Sequence, residues 1–274
     1  MRFCSAVIRR YTAHEGGVLA GHIAFSAMLS LMPFLIFATA LAGFVVGPEG
    51  TAAALDAMFA AAPDHVARTL EPVVVEVIGQ RRGGVLTVAA LGAIWAASNG
   101  VEAVRIALDR AYDGGVRRHF TLNRAVSVAM VLSAFAVFVL LGALIVLAPL
   151  TFRLIEHHTG LVVPVSADLA RYAVSAAVLA VFLWYVHRLL PSRRMRGVRL
   201  WPGIAATVLV LGLAGTAFSQ YLAFAPSYTV TYGTLGGVVV TLLFFYLAGV
   251  ALILGAEVNA VANAALLEPP MPEE

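Results

Sequence analysis

The chain has no lysine; all 18 of its basic residues are arginine. Its one cysteine, Cys4, excludes an internal disulfide and any cysteine-based metal cluster. Charge is scarce at 12% of residues, where a soluble domain carries about 25%. Familiar catalytic signatures are missing as well. There is no phosphate-binding P-loop, no Gly-x-Ser-x-Gly elbow and no haem or zinc spacing, so neither a cofactor nor a metal is expected. The seven histidines, His14, His22, His65, His119, His157, His158 and His187, are scattered. Metal-assisted phosphodiester cleavage needs clustered His, Asp and Glu ligands beside an aqueous groove, so a nuclease is not expected.

What is abundant is apolar. Hydrophobic residues make up 61% of the 274, and the mean hydropathy is +0.91. They fall in charge-free windows from Gly16 to Pro48, Gly83 to Val101, Ala125 to Phe152, Tyr172 to His187 and Leu200 to Ala256. A bilayer core about 30 Å thick takes roughly 20 residues of helix. The first four windows therefore hold one span each, and the last holds two. Ala225-Pro226-Ser227 and Tyr232-Gly233 divide that last window, since proline removes a donor and disfavours helix just before it. The expected architecture is all-α and polytopic. Its six transmembrane helices fall near 17–47, 84–104, 122–151, 168–190, 200–222 and 234–263. One membrane domain covers 1–263, and 264–274 form a short acidic tail. The first apolar stretch starts after Glu15 and exceeds a signal-peptide core, so it is expected to stay as the first span.

Arginine placement sets the orientation. Thirteen lie on one side: Arg2, Arg9, Arg10, Arg105, Arg110, Arg117, Arg118, Arg124, Arg188, Arg193, Arg194, Arg196 and Arg199. Arg68, Arg81, Arg82, Arg153 and Arg171 make five on the other. Positive residues near span ends stay cytoplasmic, so both termini are expected in the cytoplasm of a bacterial inner-membrane protein. A pI near 9.3 can suggest nucleic-acid binding, but topology accounts for these arginines, and no nucleic-acid partner is expected. Membrane lipids are the expected partners, with Arg193, Arg194 and Arg196 as candidate headgroup contacts.

Residues 49–82 form the one sizeable outer segment. Val66, Leu70, Val73, Val74, Val77 and Ile78 share one helical face, so this segment is expected to be amphipathic, lying on the outer surface or capping the bundle. Gly17-x-x-x-Gly21 and Gly233-x-x-x-Gly237 are candidate sites of close helix approach, and Pro33 is a candidate kink.

Helical rise converts position into depth. His22 comes about 7 Å into the first span, and Asn99 and Glu102 about 22–27 Å down the second. Glu257 comes roughly 30 Å along the sixth. With Ser98 and Asn259, these residues fall at a similar level and could line a polar vestibule. The structural alternative is that Glu102 and Glu257 pair with Arg105 or other loop arginines and hold helix ends together.

Three stretches resemble the YihY/BrkB family of bacterial inner-membrane proteins. They are His22-Ile-Ala-Phe-Ser-Ala-Met-Leu-Ser-Leu-Met-Pro33-Phe, then Trp95-Ala-Ala-Ser98-Asn99-Gly100 with Ala107-Leu108-Asp109-Arg110-Ala111-Tyr112, and Ser227-Tyr228-Thr-Val-Thr-Tyr232-Gly233-Thr-Leu-Gly236-Gly237 running on to Leu254-Gly255-Ala256-Glu257-Val-Asn259-Ala260. Phe244-Phe245-Tyr246, where relatives often carry tryptophan, and Phe25, where tyrosine is common, depart from the pattern. The resemblance implies a six-helix envelope protein, with some members linked to lipid or lipopolysaccharide-precursor traffic. The family's old ribonuclease BN label is widely regarded as an error, and the chain is not expected to be an enzyme.

Two functions follow as expectations. The first is a transporter or flippase-like protein for a lipid or envelope amphiphile, with Glu102, Glu257 and His22 as contacts. The second is a non-catalytic envelope scaffold that recruits a protein partner through residues 49–82. A channel fits less well, because no single helix carries a continuous series of polar positions.

Overall fold

A computed structural model of the chain describes residues 2–31, 33, 83–114, 120–147, 165–192, 197–224 and 234–264. The long apolar windows fold as helices because a chain in lipid must satisfy its backbone groups within itself. In chain order these are α1 (Arg2–Ala13), α2 (Gly16–Leu31), α3 (Gly83–Ala111), α4 (Phe120–Gly142), α5 (Val165–Leu189), α6 (Trp201–Phe224) and α7 (Thr234–Ala262). A π turn, Ala143–Leu147, continues α4. Among the described residues every regular element is helical.

The long helices lie close to their expected positions, with one extension. The second span was expected to end near Val104, but α3 continues to Ala111. Arg105 and Asp109, which look like loop charges, lie on one helical face, with Arg105 bonded back to Glu102 and forward to Asp109. Pairing at i,i+3 and i,i+4 lets a charged stretch stay helical. The residues expected to form the outer segment at 49–82 lie outside the described residues. So do Arg193, Arg194, Arg196, Gly233 and the tail from 265 onward. Pro33 is helical, but residues 32 and 34 are not described, so the expected kink also falls outside.

Among the described residues four helices contain segments long and apolar enough to cross a bilayer: Thr121–Ile145, Leu169–Leu189, Trp201–Tyr221 and Gly236–Ala262. Gly16–Leu31 is a shorter apolar helix whose continuation is not described. Large apolar side chains point outward along these elements, among them Phe138, Val181, Leu209, Leu213 and Phe244. Water-soluble proteins rarely expose so much contiguous apolar surface.

The closest helix approach joins α6 and α7. A Cβ on Gly203 would collide with the Gly255 carbonyl and the Asn259 side chain; one on Gly255 would collide with the Thr207 hydroxyl. Gly203 and Thr207, spaced by four on α6, meet Gly255 of α7 and bring the backbones together in the manner of a small-residue contact, with the Asn259 side chain packed on Gly203. The expected Gly17/Gly21 pair does not do this. Among the described residues a Cβ on Gly21 would meet nothing within 4 Å, and one on Gly17 would sit at an ordinary 3.5 Å from the Tyr246 hydroxyl. On α2 the tight residue is Ala20, against which Gly249 of α7 packs. Buried Gly237 accepts a 2.8 Å bond from Thr241.

Candidate functional site

One end of the bundle gathers α1, the C-terminal ends of α3, α5 and α7, and the start of α6. Its centre is Glu257 on α7, which is fully buried. Arg10 Nε donates to Glu257 Oε2 at 2.9 Å, and His14 Nδ1 lies 2.6 Å from Oε1. The same guanidinium donates to Asp113 Oδ2 at 2.8 Å and to the Ala111 carbonyl at 3.0 Å. Arg10 therefore closes the C-terminus of α3, whose last carbonyls have no partner within the helix. Burial opposes the Arg10 charge, but the bonds to Asp113 and Glu257 outweigh it and hold the guanidinium above its ordinary pKa.

Asp113 reaches Arg10 because of how α3 ends. Its φ is +51°, in the left-handed region, and the Gly114 N–H donates to the Asp109 carbonyl at 2.7 Å. That is a Schellman-type stop. His14 is placed by the turn between α1 and α2, where Glu15 has φ +56°. Gly16 follows under the Tyr11 ring, which leaves no room for a Cβ.

A second network lies beside the first. Asn259 Oδ1 accepts the Gly203 N–H at 2.7 Å, and its Nδ2 donates to the Tyr112 hydroxyl at 3.2 Å. The Gly203 N–H belongs to the first turn of α6, which opens after apolar Leu200 and so has no side-chain cap of its own; Asn259 supplies one from α7. The Tyr112 hydroxyl also lies 2.7 Å from His187 Nδ1. His187 Nε2 is buried and has no hydrogen-bond partner among the described residues. Burial raises the Tyr112 phenol well above its ordinary pKa. Asn263 completes the seam by exchanging two 2.9 Å bonds with the Arg199 backbone.

The third network ties α3 to the residues after α5. Arg105 pairs with both Glu102 oxygens, and its Nη1 donates to Asp109 Oδ2 at 2.7 Å. Asp109 accepts the Ser192 N–H at 2.6 Å and the Ser192 hydroxyl at 2.8 Å.

The six vestibule residues are thus divided among these surroundings. Glu257 and Asn259 sit in adjoining networks, and Glu102 pairs with Arg105. Ser98 is buried, while Asn99 is exposed. His22 is also exposed, on the outward stripe with Val18, Phe25 and Leu29. The partners that sequence reasoning did not assign are Arg10, His14, Asp109, Tyr112, Asp113 and His187. A signal existed for Asp109 and Tyr112, which stand in the Ala107–Tyr112 motif.

Deeper in the bundle, described residues of α2, α3, α4, α5 and α7 line a half-open cavity of about 390 Å³. Its wall is apolar, with Ile23, Val104, Met130, Phe182 and Leu252 among the lining residues. Ser30 also lines it, but its hydroxyl is bonded to the Ser26 and Ala96 carbonyls.

Apolar helices of membrane-spanning length, joined at one end by buried ion pairs, define a multi-pass helical membrane protein. The chain belongs to the BrkB family, whose model, described as Virulence factor BrkB, matches residues 7–273. It is 32% identical over 268 residues to the ribonuclease-like protein YfkH of Bacillus subtilis (strain 168), covering 96% of both chains. It is also similar to a UPF0761 membrane protein of Azoarcus sp. (strain BH72), at 24% identity over 270 residues; the match covers 94% of this chain but 62% of that protein. A third relative, a UPF0761 membrane protein of Pseudoalteromonas translucida (strain TAC 125), is 25% identical over 250 residues, covering 89% of this chain and 80% of its own length. No solved structure matches the chain.

Proposed function

We propose that the protein is a transporter or flippase-like protein for a lipid or envelope amphiphile in the bacterial inner membrane, with both termini in the cytoplasm. The observation that carries this reading is the apolar cavity. At about 30 Å³ for a water-sized group, 390 Å³ holds roughly thirteen methylene-sized groups, enough for much of an acyl chain. A wall with no free polar group among the described residues favours hydrocarbon over an ion or a sugar. Arg105, paired with Glu102, stands one helical turn from cavity-lining Val101 on α3, so a charged group is at hand for a headgroup.

In this reading the protein is not an enzyme, although the name of its Bacillus relative mentions a ribonuclease. The acidic groups at the bundle end are already committed: Glu257 to Arg10 and His14, and Asp109 to Arg105 and Ser192. Orientation is supported by the Arg10–Glu257 pair, which puts the N-terminal helix and the end of α7 at one end. Arg105 and Arg199 join networks at that same end.

The test is movement of a fluorescent phospholipid across proteoliposomes, comparing the wild-type chain with Ala134→Phe, which fills the cavity from α4. The expected result is lipid movement by the wild type and its loss in a folded Ala134→Phe. Wild-type rates in that variant, or no movement of lipids or amphiphiles by either chain, would overturn the reading.

A further inference from the structure

We propose that α1 is an interfacial anchor, seated on the membrane through Cys4 and Ile8 and held by anionic lipid headgroups facing Arg9. This does not depend on lipid movement and stands on different residues.

The first observation is the division of the helix surface. Val7 is buried and Arg10 and His14 turn to Glu257, so one side of α1 is committed to the bundle. Ile8 is 61% exposed and Phe3 46%, and Cys4 is also exposed. Cys4 and Ile8 are one helical turn apart and form an apolar flank beside the bundle contact. Exposed Arg9 and Ala13 lie further round, away from that flank. A helix with a bundle side, an apolar flank and a basic outer side fits a headgroup–acyl boundary better than water.

Charge is the second observation. Residues 2–13 include Arg2, Arg9 and Arg10 and no acidic residue. Arg10 is neutralised by Glu257 and Asp113. The Arg9 guanidinium is exposed and meets no acidic partner among the described residues. An anionic lipid surface supplies the missing opposite charge.

Depth is the third. Trp201, exposed at the start of α6, stands where tryptophan marks a membrane–water boundary. Two residues earlier, Arg199 is bonded to Asn263 of α7. Glu257, where α1 docks, precedes Asn263 by six residues, or about 9 Å of helix. The docking point therefore falls within about 10 Å of the boundary, the depth at which an interfacial helix seats its apolar face. The two-residue turn from α1 into apolar α2 keeps it there.

Cys4 is the chain's one cysteine and gives the readout. The full-length protein carries a nitrobenzoxadiazole probe on Cys4, in nanodiscs of phosphatidylcholine alone or with phosphatidylglycerol, with and without brominated lipids. Its counterpart carries the probe at Ala13→Cys in a Cys4→Ser background, about half a helical turn round. The expected result is a blue-shifted Cys4 probe, quenched by brominated lipid and more so with phosphatidylglycerol, beside a water-like probe at position 13. Arg9→Glu should remove the phosphatidylglycerol increment while leaving thermal unfolding in detergent unchanged. A water-like Cys4 probe, equal signals at both positions, or no dependence on phosphatidylglycerol in the unmutated helix would overturn the proposal.

Discussion

At the scale of the residue, Glu257 shows how a buried carboxylate is tolerated in a membrane bundle. Its charge is expensive away from water, so its stability depends on the partners that hold it. Arg10→Ala removes the main one and leaves the carboxylate buried. Because Arg10 keeps some contact with solvent, the expected loss is about 3 kcal/mol, the lower end of the range for breaking a buried pair. Thermal unfolding in nanodiscs would measure it. Glu257→Gln removes the charge together with its burden and should cost less, without a specific transport defect. Tyr112→Phe strands His187 Nδ1 and Asn259 Nδ2, so a loss of about 1–3 kcal/mol is expected.

Tyr112 also carries a pH dependence. Its phenol is raised by burial, so the folded protein keeps the proton where the unfolded chain has begun to lose it. Stability from this group is fully present below its ordinary value of about 10 and falls as pH rises beyond it. Melting temperatures of wild type and Tyr112→Phe, followed from pH 8 upward, should converge above about pH 10.

Among the elements, the seam between α6 and α7 should be the least forgiving. Gly203→Ala and Gly255→Ala place a methyl group against backbone or the Thr207 side chain, and overpacking of this kind costs about 1–3 kcal/mol. Gly21→Ala has open space among the described residues and should be neutral or slightly stabilising, since alanine is the better helix former by about 1 kcal/mol. The contrast, read from unfolding of the three variants, decides which glycines hold the bundle. A Gly-x-x-x-Gly search finds Gly17/Gly21 but not the true seam, which uses Gly203/Thr207 and Gly255/Asn259. The pairing partner of a small residue is a tertiary fact. Helix α1 escaped notice for another reason: its apolar residues Phe3, Cys4, Val7, Ile8 and Tyr11 share one face, but its length is far below that of a span.

At the scale of the whole molecule, the long helices were legible because bilayer thickness imposes a length and lipid excludes charge. The polar end was not. Arg10 reads as a topology charge, Asp109 and Asp113 as loop residues, and Arg10 and Glu257 stand 247 positions apart. Depth reckoning put Glu257 and Asn259 at one level but said nothing of which way each helix was turned. It therefore gathered His22 and Asn99, which face outward, into a vestibule. Orientation has a direct check. A green fluorescent protein at the C-terminus should fluoresce, while alkaline phosphatase there should be inactive, as for a cytoplasmic end.

The Arg10–Glu257 pair also orders events in time. The ribosome delivers α1 before α7, so Arg10 waits through the synthesis of the helices between them before its carboxylate arrives. Until then Asp113 is its sole acidic partner in this network, Tyr112 lacks Asn259, and the first turn of α6 lacks its cap. Arrival of α7 completes all three at once. Arrival of α7 is therefore the step that completes these networks, and a chain stopped short of it would present membrane quality control with a full set of unmatched polar groups.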